Sequence, residues 1–179
     1  FTINICSSFD DVLFTTLTRL LMVVIFATIL GTFLGLFAGI HGWVEGLLQP
    51  AVIIFRTTPV VSIVVILIMM YGNLTSLYII CFLLLFPIIY QSELDGIKNI
   101  NGTLLEVLRL DCDNCSLTSI RLVFFPLALP HLRTGILQSM GLGIKVLVMA
   151  EFIAQTKVSV GREIQAAKNL LNYANIFAW

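Results

Sequence analysis

The chain has 179 residues, of which 59% are hydrophobic and 11% are charged, and its formal net charge is zero. Soluble globular domains carry about 25% charged residues, so this composition argues against a soluble domain and for a membrane protein. The balanced charge gives no support to nucleic-acid binding, and no nucleic-acid partner is expected.

A membrane helix is predicted over about residues 10–40. Its uncharged stretch, residues 20–40, is long enough to cross a bilayer core of about 30 Å as a helix. Ser7 and Ser8 offer N-cap side chains just before it. Arg19 lies in the first third of the helix, where it either extends to the membrane interface or faces a partner helix.

Small residues recur every four positions in this helix and in a later one, which is predicted over about residues 132–154. This spacing places them on one helix face, where they allow a second helix to approach closely in lipid. The helix-packing candidates are Gly31, Gly35 and Gly39 in the first helix and Gly135, Ser139 and Gly143 in the later one.

Shorter elements are predicted after the first helix. Residues 41–49 read as an amphipathic connection at the membrane interface, and Pro50 can start a helix over residues 51–55. Arg56 interrupts the apolar sequence there. It either anchors the end of that helix or lines a polar pathway.

Residues 57–92 carry no charge and contain a break at Gly72. This pattern predicts two shorter spans, at residues 60–71 and 74–90, joined by a tight turn. Pro87 predicts a kink near the end of the second span.

A polar segment at residues 91–130 carries eight of the chain's twenty charged residues. A charge at the bilayer centre costs several kcal/mol, so the segment is expected to lie outside the hydrocarbon. A capping box at residues 103–106 predicts a short helix, residues 111–116 form a turn, and a second short helix covers residues 117–125. We interpret the segment as a compact surface element on which a partner docks.

Two ionisable residues, Lys145 and Glu151, fall within the later membrane helix. They are six positions apart, so they lie on different faces and cannot pair along the helix. Ionisable residues in such a helix indicate function by default. The alternative for each is a structural pair with another helix.

Cys112 and Cys115 have the spacing of a metal or redox motif. A structural zinc site needs four ligands, and His131 is the single further candidate, so no metal site is expected. A pair without function in a turn is favoured over a thiol redox role. The sequence holds no nucleotide-binding motif and no catalytic constellation, so it is not expected to be an enzyme, and any ATP use must come from a partner.

The polar segment and its flanks resemble a known family. Residues 104–130, LLEVLRLDCDNCSLTSIRLVFFPLALP, resemble the coupling loop of type I importer permeases of the ATP-binding-cassette class. In that family Glu-Ala-Ala precedes a glycine and a segment ending in Leu-Pro; here Val107 and Leu108 replace the alanines. FRTTPVVSIVVILIMMYG (residues 55–72) and MAEFIAQTKVSVGREIQAAKNLLNYANIFAW (residues 149–179) are similar to its nitrate, sulfonate and taurine subfamily.

The resemblance implies an all-α, polytopic permease domain over residues 1–179 with about four to five of six expected spans. The first and last spans are expected before Phe1 and after Trp179. A cytoplasmic coupling loop at about residues 91–131 would insert into an ATPase subunit. The implied ATPase-coupling residues are Glu106, Arg109, Leu110, Asp111, Cys112, Asp113, Asn114, Cys115 and Ser116.

The implied partners are two ATPase subunits, a second permease copy or paralogue, an extracytoplasmic substrate-binding protein and the bilayer of a bacterial inner membrane. ATP and Mg would bind to the ATPase, with no cofactor on this chain. Members of the family carry small anions and vitamin precursors. The pathway candidates are Arg56, Gln138, Lys145 and Glu151.

Two alternative functions stay open from the sequence. One is an ATP-independent secondary transporter or channel, which would purify without an ATPase. The other is a membrane thiol oxidoreductase that uses Cys112 and Cys115.

Overall fold

The computed structural model describes residues 3–100 and 124–179, with the backbone alone for residues 3–8. These described residues form seven helices and no strand, which confirms the predicted all-α class. The helices are α1 (Ile3–Ile40), α2 (Gly42–Thr57), α3 (Val60–Tyr71), α4 (Asn73–Lys98), α5 (Phe125–Ala154), α6 (Val160–Asn169) and α7 (Tyr173–Ala178).

Three of these helices, α1, α4 and α5, are long and apolar enough to cross a membrane. The shortest is α4, whose 26 residues extend over about 39 Å, more than the bilayer core of about 30 Å. The helices α2 and α3 qualify only as a pair, broken at Thr58 and Pro59. The described residues therefore supply three spans, or four with this broken pair.

The predicted break at Gly72 is confirmed. α3 covers Val60–Tyr71 as predicted, and α4 begins directly after the break at Asn73. Gly72 has a φ of 78°, a conformation that glycine adopts without the steric cost of a side chain. Pro87 lies inside α4, and the kink there stays a prediction.

Two predicted helix starts are wrong. α1 begins at Ile3, so Ser7 and Ser8 lie within the helix and do not cap it. α2 runs through Pro50, which was expected to start a separate helix. The φ angle of proline is already helical, so Pro50 forfeits one backbone hydrogen bond without ending α2.

The polar segment contributes to both of the helices that flank it. α4 extends to Lys98 and α5 begins at Phe125, so the helices are longer than predicted. A hydrogen bond of 2.9 Å from Gln91 Nε2 to Asp95 Oδ1, one helical turn apart, supports the added turns of α4. The predicted capping box and residues 106–116 lie outside the described residues.

Contacts divide the chain into two compact units. The first unit contains Phe1–Val24, Thr58–Leu83 and Met140–Trp179, and the second contains Ile25–Thr57 and Leu84–Ser139. The three long helices α1, α4 and α5 each contribute residues to both units.

In the second unit, Gly31, Gly35 and Gly39 of α1 face α4. A Cβ atom added to any of them would lie 2.7–2.9 Å from an α4 side chain, closer than real side chains pack. The facing α4 residues are, in the same order, Ile89, Glu93 and Ile97. Both series advance by four residues, so α1 and α4 run parallel here, with their backbones in close approach.

α5 packs on α4 in the opposite direction. A Cβ atom on Gly96 would lie 3.0 Å from Cβ of His131 and 3.2 Å from Ala128, whereas one on Gly135 would lie 2.6 Å from Ser92. A later residue of α5 thus meets an earlier residue of α4, and the two helices are antiparallel. The end of α4 and the start of α5 therefore lie at the same end of this unit.

An apolar cluster fills that end of the second unit. It consists of Leu36, Ile97, Ile100, Phe124 and Ala128, with Ile40 packed against it. A salt bridge of 2.5 Å between Lys98 Nζ and Glu45 Oε1 joins α4 to α2 at its edge. The described residues on either side of positions 101–123 are thus held by side chains of α1, α2, α4 and α5.

The first unit buries one face of each long helix. In α1 the four-residue spacing of Val12, Thr16 and Leu20 forms this face. The other buried side chains here include Leu77, Ile80 and Cys81 of α4 and Leu147, Ala150 and Ala154 of α5. In α3 only Val64 is buried, so the remaining apolar side chains of α3 are available to lipid or to another chain.

Gly35→Ala tests the close approach of α1 and α4. The new Cβ would lie 2.7 Å from Glu93 Cβ and 3.0 Å from the Tyr90 carbonyl oxygen, so we expect the unfolding free energy in detergent to fall by about 1–3 kcal/mol. Gly141→Ala is the matched control, since no atom lies within 4 Å of its added Cβ. Equal stabilities of the two variants would contradict the packing described here.

Candidate functional site

The candidate site in the first unit is built around the carboxylate of Glu151, which lies in the last turn of α5. The Glu151 side chain is fully buried. Arg19 Nη1 donates to Glu151 Oε1 at 2.9 Å, and the Thr16 hydroxyl lies 3.2 Å from both carboxylate oxygens. Gly161 N lies 3.5 Å from Oε2. The Glu151 carboxylate therefore links α5 to both α1 and the start of α6.

Arg19 is the only cation in α1, and its side chain is 12% exposed. The structure decides between the two predicted roles of Arg19, because the guanidinium faces α5 and pairs with Glu151. Removing one partner of a buried pair leaves an unpaired charge and costs about 3–5 kcal/mol. The pair therefore holds α1 against α5, because each charge finds its partner on the other helix.

Residues 155–161 are folded so that the chain returns to this network. Gln155 has a φ of 49° at the end of α5, and Ser159 caps α6 by accepting from Arg162 N at 3.3 Å. The Thr16 hydroxyl oxygen accepts from Val160 N at 3.3 Å. The first backbone N–H groups of α6 have no carbonyl partner within the helix, and this end of the helix favours a negative charge, which Glu151 supplies.

Gly161 is required by close contact with α5. A Cβ atom at this position would lie 2.3 Å from Phe152 N and 2.6 Å from the Val148 carbonyl oxygen. Both are backbone atoms, which cannot rotate away as a flexible side chain can. The contact gives a physical reason for a glycine at position 161.

An open groove of about 870 Å³ adjoins the network within the first unit. It is lined by one face of α1 between Asp11 and Arg19, by the turn at residues 71–75 and by residues 155–158. Its charged side chains are those of Asp11, Arg19 and Lys157. The groove thus exposes polar groups where the first half of α1, the start of α4 and the end of α5 meet within this unit.

The other pathway candidates are exposed. Arg56 lies in the last turn of α2, and Gln138 and Lys145 lie on α5. Of the four candidates, the structure buries only Glu151. The predicted ATPase-coupling residues lie outside the described residues, as do Cys112 and Cys115.

Glu93 is a buried carboxylate that the sequence placed in an external segment. It is fully buried on α4 opposite Gly35, and no described residue forms a hydrogen bond with either carboxylate oxygen. Thr16 and Gly161 were also not predicted as parts of a site. The available signal was the isolated charge of Arg19 in α1, which needs an acidic partner elsewhere in an apolar fold.

Metal binding has no support in residues 3–100 and 124–179. No group of three His, Cys, Asp or Glu side chains in this part of the chain could hold a metal ion. Glu151 instead satisfies its charge with arginine, hydroxyl and backbone donors.

Glu151→Gln tests the buried pair. It leaves the Arg19 charge unpaired, so we expect the unfolding free energy in detergent to fall by about 3–5 kcal/mol. Adding Arg19→Met removes that charge and should recover part of the loss. Arg133→Met, which removes an exposed cation near the start of the same helix, should change stability by less than about 0.5 kcal/mol. Strictly additive effects of the two substitutions would contradict direct pairing.

Comparison with known proteins identifies the family. Residues 27–179 match the family described as "Binding-protein-dependent transport system inner membrane component". The chain is also 27% identical over 158 residues to the taurine transport system permease protein TauC of Escherichia coli (strain K12). That similarity covers 87% of this chain and 56% of TauC, so the chain spans about half the length of this relative. The resemblance to importer permeases is confirmed, and the chain belongs to the family of binding-protein-dependent transport system inner membrane components.

Proposed function

We propose that this chain is a multi-pass permease subunit of an ATP-driven importer in a bacterial inner membrane. The observation that carries the proposal is the family match over residues 27–179, which includes all of α4 and α5 and residues 27–40 of α1. Its partners would be two ATPase subunits that bind ATP and Mg, a second permease copy or paralogue, and an extracytoplasmic substrate-binding protein. The similarity to TauC makes taurine the first substrate to test.

The exposed face of α5 supports a role in translocation. Lys145 is exposed within an apolar helix, and a lysine that faced hydrocarbon near the bilayer centre would cost several kcal/mol. Gln138 is also exposed and lies seven residues earlier in the same helix, so it shares a face with Lys145. A polar pathway, or a partner subunit beside it, would avoid this cost. Arg56, exposed at the end of α2, remains a further pathway candidate.

Coupling to the ATPase would pass through residues 104–130. The second unit supports this role, because it places the end of α4 and the start of α5 at the same end of the unit. The apolar cluster that contains Ile100 and Phe124, the described residues on either side of positions 101–123, connects both to Leu36 of α1. A displacement of the segment would therefore move three helices together, as a rigid-body transition requires.

A cysteine cross-link tests the coupling. We expect native Cys112 or Cys115 to react with a cysteine placed in the ATPase groove, with a yield that changes on adding ATP. The measurement uses the assembled importer, and Cys81 is an internal control because it is fully buried in α4. A Cys112→Ser/Cys115→Ser variant should lose the cross-link and keep near-normal ATP-driven uptake.

Two results would contradict the proposal. If both cysteines react only with reagents added outside the cell, the segment lies on the wrong side of the membrane for an ATPase. If the double serine variant abolishes uptake while the ATPase remains bound, a thiol function becomes the better explanation.

A further inference from the structure

A small basic pocket lies between the end of α5 and α6 in the first unit. It has a volume of about 320 Å³ and is lined by Gln155, Lys157, Arg162, Gln165, Ala166 and Asn169. The lining contains two cations and three carboxamides and no carboxylate. It shares Gln155 and Lys157 with the larger groove.

The fold holds one of the two cations, Arg162, in place. Arg162 lies in the first turn of α6, which is fixed by the Ser159 cap and by the contact of Gly161 with α5. The Arg162 Nη1 group donates a hydrogen bond to the Lys157 main-chain oxygen, so the guanidinium is bound to the main chain of Lys157 itself. Guanidinium has five N–H donors, and the others can still bind a carboxylate.

The chemistry of the pocket fits a protein partner better than a transported molecule. Sites for small molecules are mostly apolar and enclose their ligand. Here the lining is polar apart from Ala166, and Gln155, Lys157, Arg162 and Asn169 are exposed. Exposed charges of one sign are typical of the polar rim of a protein interface, where they steer a partner of opposite charge.

The direction of α5 determines which partner can reach this pocket. If residues 104–130 face the cytoplasmic ATPase, α5 starts on the cytoplasmic side. Its 30 residues extend over about 45 Å, so its end at Ala154 lies on the extracytoplasmic side. The basic pocket directly follows that end.

We propose that this pocket is the docking site for an acidic side chain of the extracytoplasmic substrate-binding protein. Lys157 and Arg162 bind the partner's carboxylate together, with the carboxamides of Gln155 and Asn169 at the edge. This assignment rests on the proposed function, which supplies both the partner and the orientation. Because α6 is packed on α5 through Gly161 and joined to α1 through Thr16, the docked protein contacts the same rigid network as Glu151.

Association kinetics test the docking site. The complete importer, in nanodiscs of neutral lipid, is exposed to purified binding protein loaded with substrate at low and at high salt. We expect Lys157→Gln and Arg162→Gln each to slow association by about 3- to 10-fold at low salt, with little change in dissociation. The difference should shrink at high salt, because salt screens exposed charges.

The variants have matched controls. Lys168→Gln removes one charge from the same helix, but Lys168 lies over the Phe152 ring at 5.4 Å and does not line the pocket, so association should stay close to that of the unaltered importer. Lys157→Gln preserves the main-chain oxygen to which Arg162 is bound, so it tests the charge without removing that contact.

Several outcomes would overturn the docking site. Unchanged association for both variants would do so directly. A defect that appears only when anionic lipid is present would assign the cations to lipid headgroups. Normal association with a raised KM for uptake would assign them to the substrate anion. If the unaltered importer failed to bind the protein at all, the proposed function itself would fail.

Discussion

A charged carboxylate can be buried in an apolar helix only when it is paired and hydrogen-bonded, and Glu151 meets this condition through Arg19, Thr16 and the backbone of Gly161. These donors come from the first half of α1 and from the start of α6, so one side chain holds both of them against the end of α5. Gly161 makes the arrangement possible, because any larger residue would separate α6 from α5. The groove and the basic pocket both border this network.

Local signals in the sequence predicted the features that local geometry controls. The bounds of α3 and the break at Gly72 followed from chain length, hydropathy and a residue that tolerates a positive φ. The helix start predicted at Pro50 was wrong, because a proline in the sequence does not show whether the surrounding helix tolerates the loss of one backbone hydrogen bond. The extension of α4 to Lys98 was missed because the burial of Glu93 and Ile97 against α1 depends on tertiary packing.

The candidate site was also predictable only where a local signal in the sequence was sufficient. Glu151 could be selected from the sequence as an ionisable residue in an apolar helix, and the glycines of α1 could be assigned to a face from their spacing. The partner of Glu151 could not be chosen, because Arg19 had two acceptable environments until α5 was placed beside α1. The motif at residues 104–130 indicated the family without indicating how its borders are packed.

The Arg19–Glu151 pair also has a consequence for membrane insertion during synthesis. The two residues are 132 positions apart, so Arg19 enters the bilayer long before its partner has been made. At about 5–20 residues per second, the interval is roughly 7–26 s. During that time Arg19 has no partner, and an unpaired arginine costs about 2.5–3.5 kcal/mol at the centre of a membrane helix and less towards its ends. α1 must therefore be retained by the insertion machinery, or keep Arg19 near the aqueous surface, until α5 arrives.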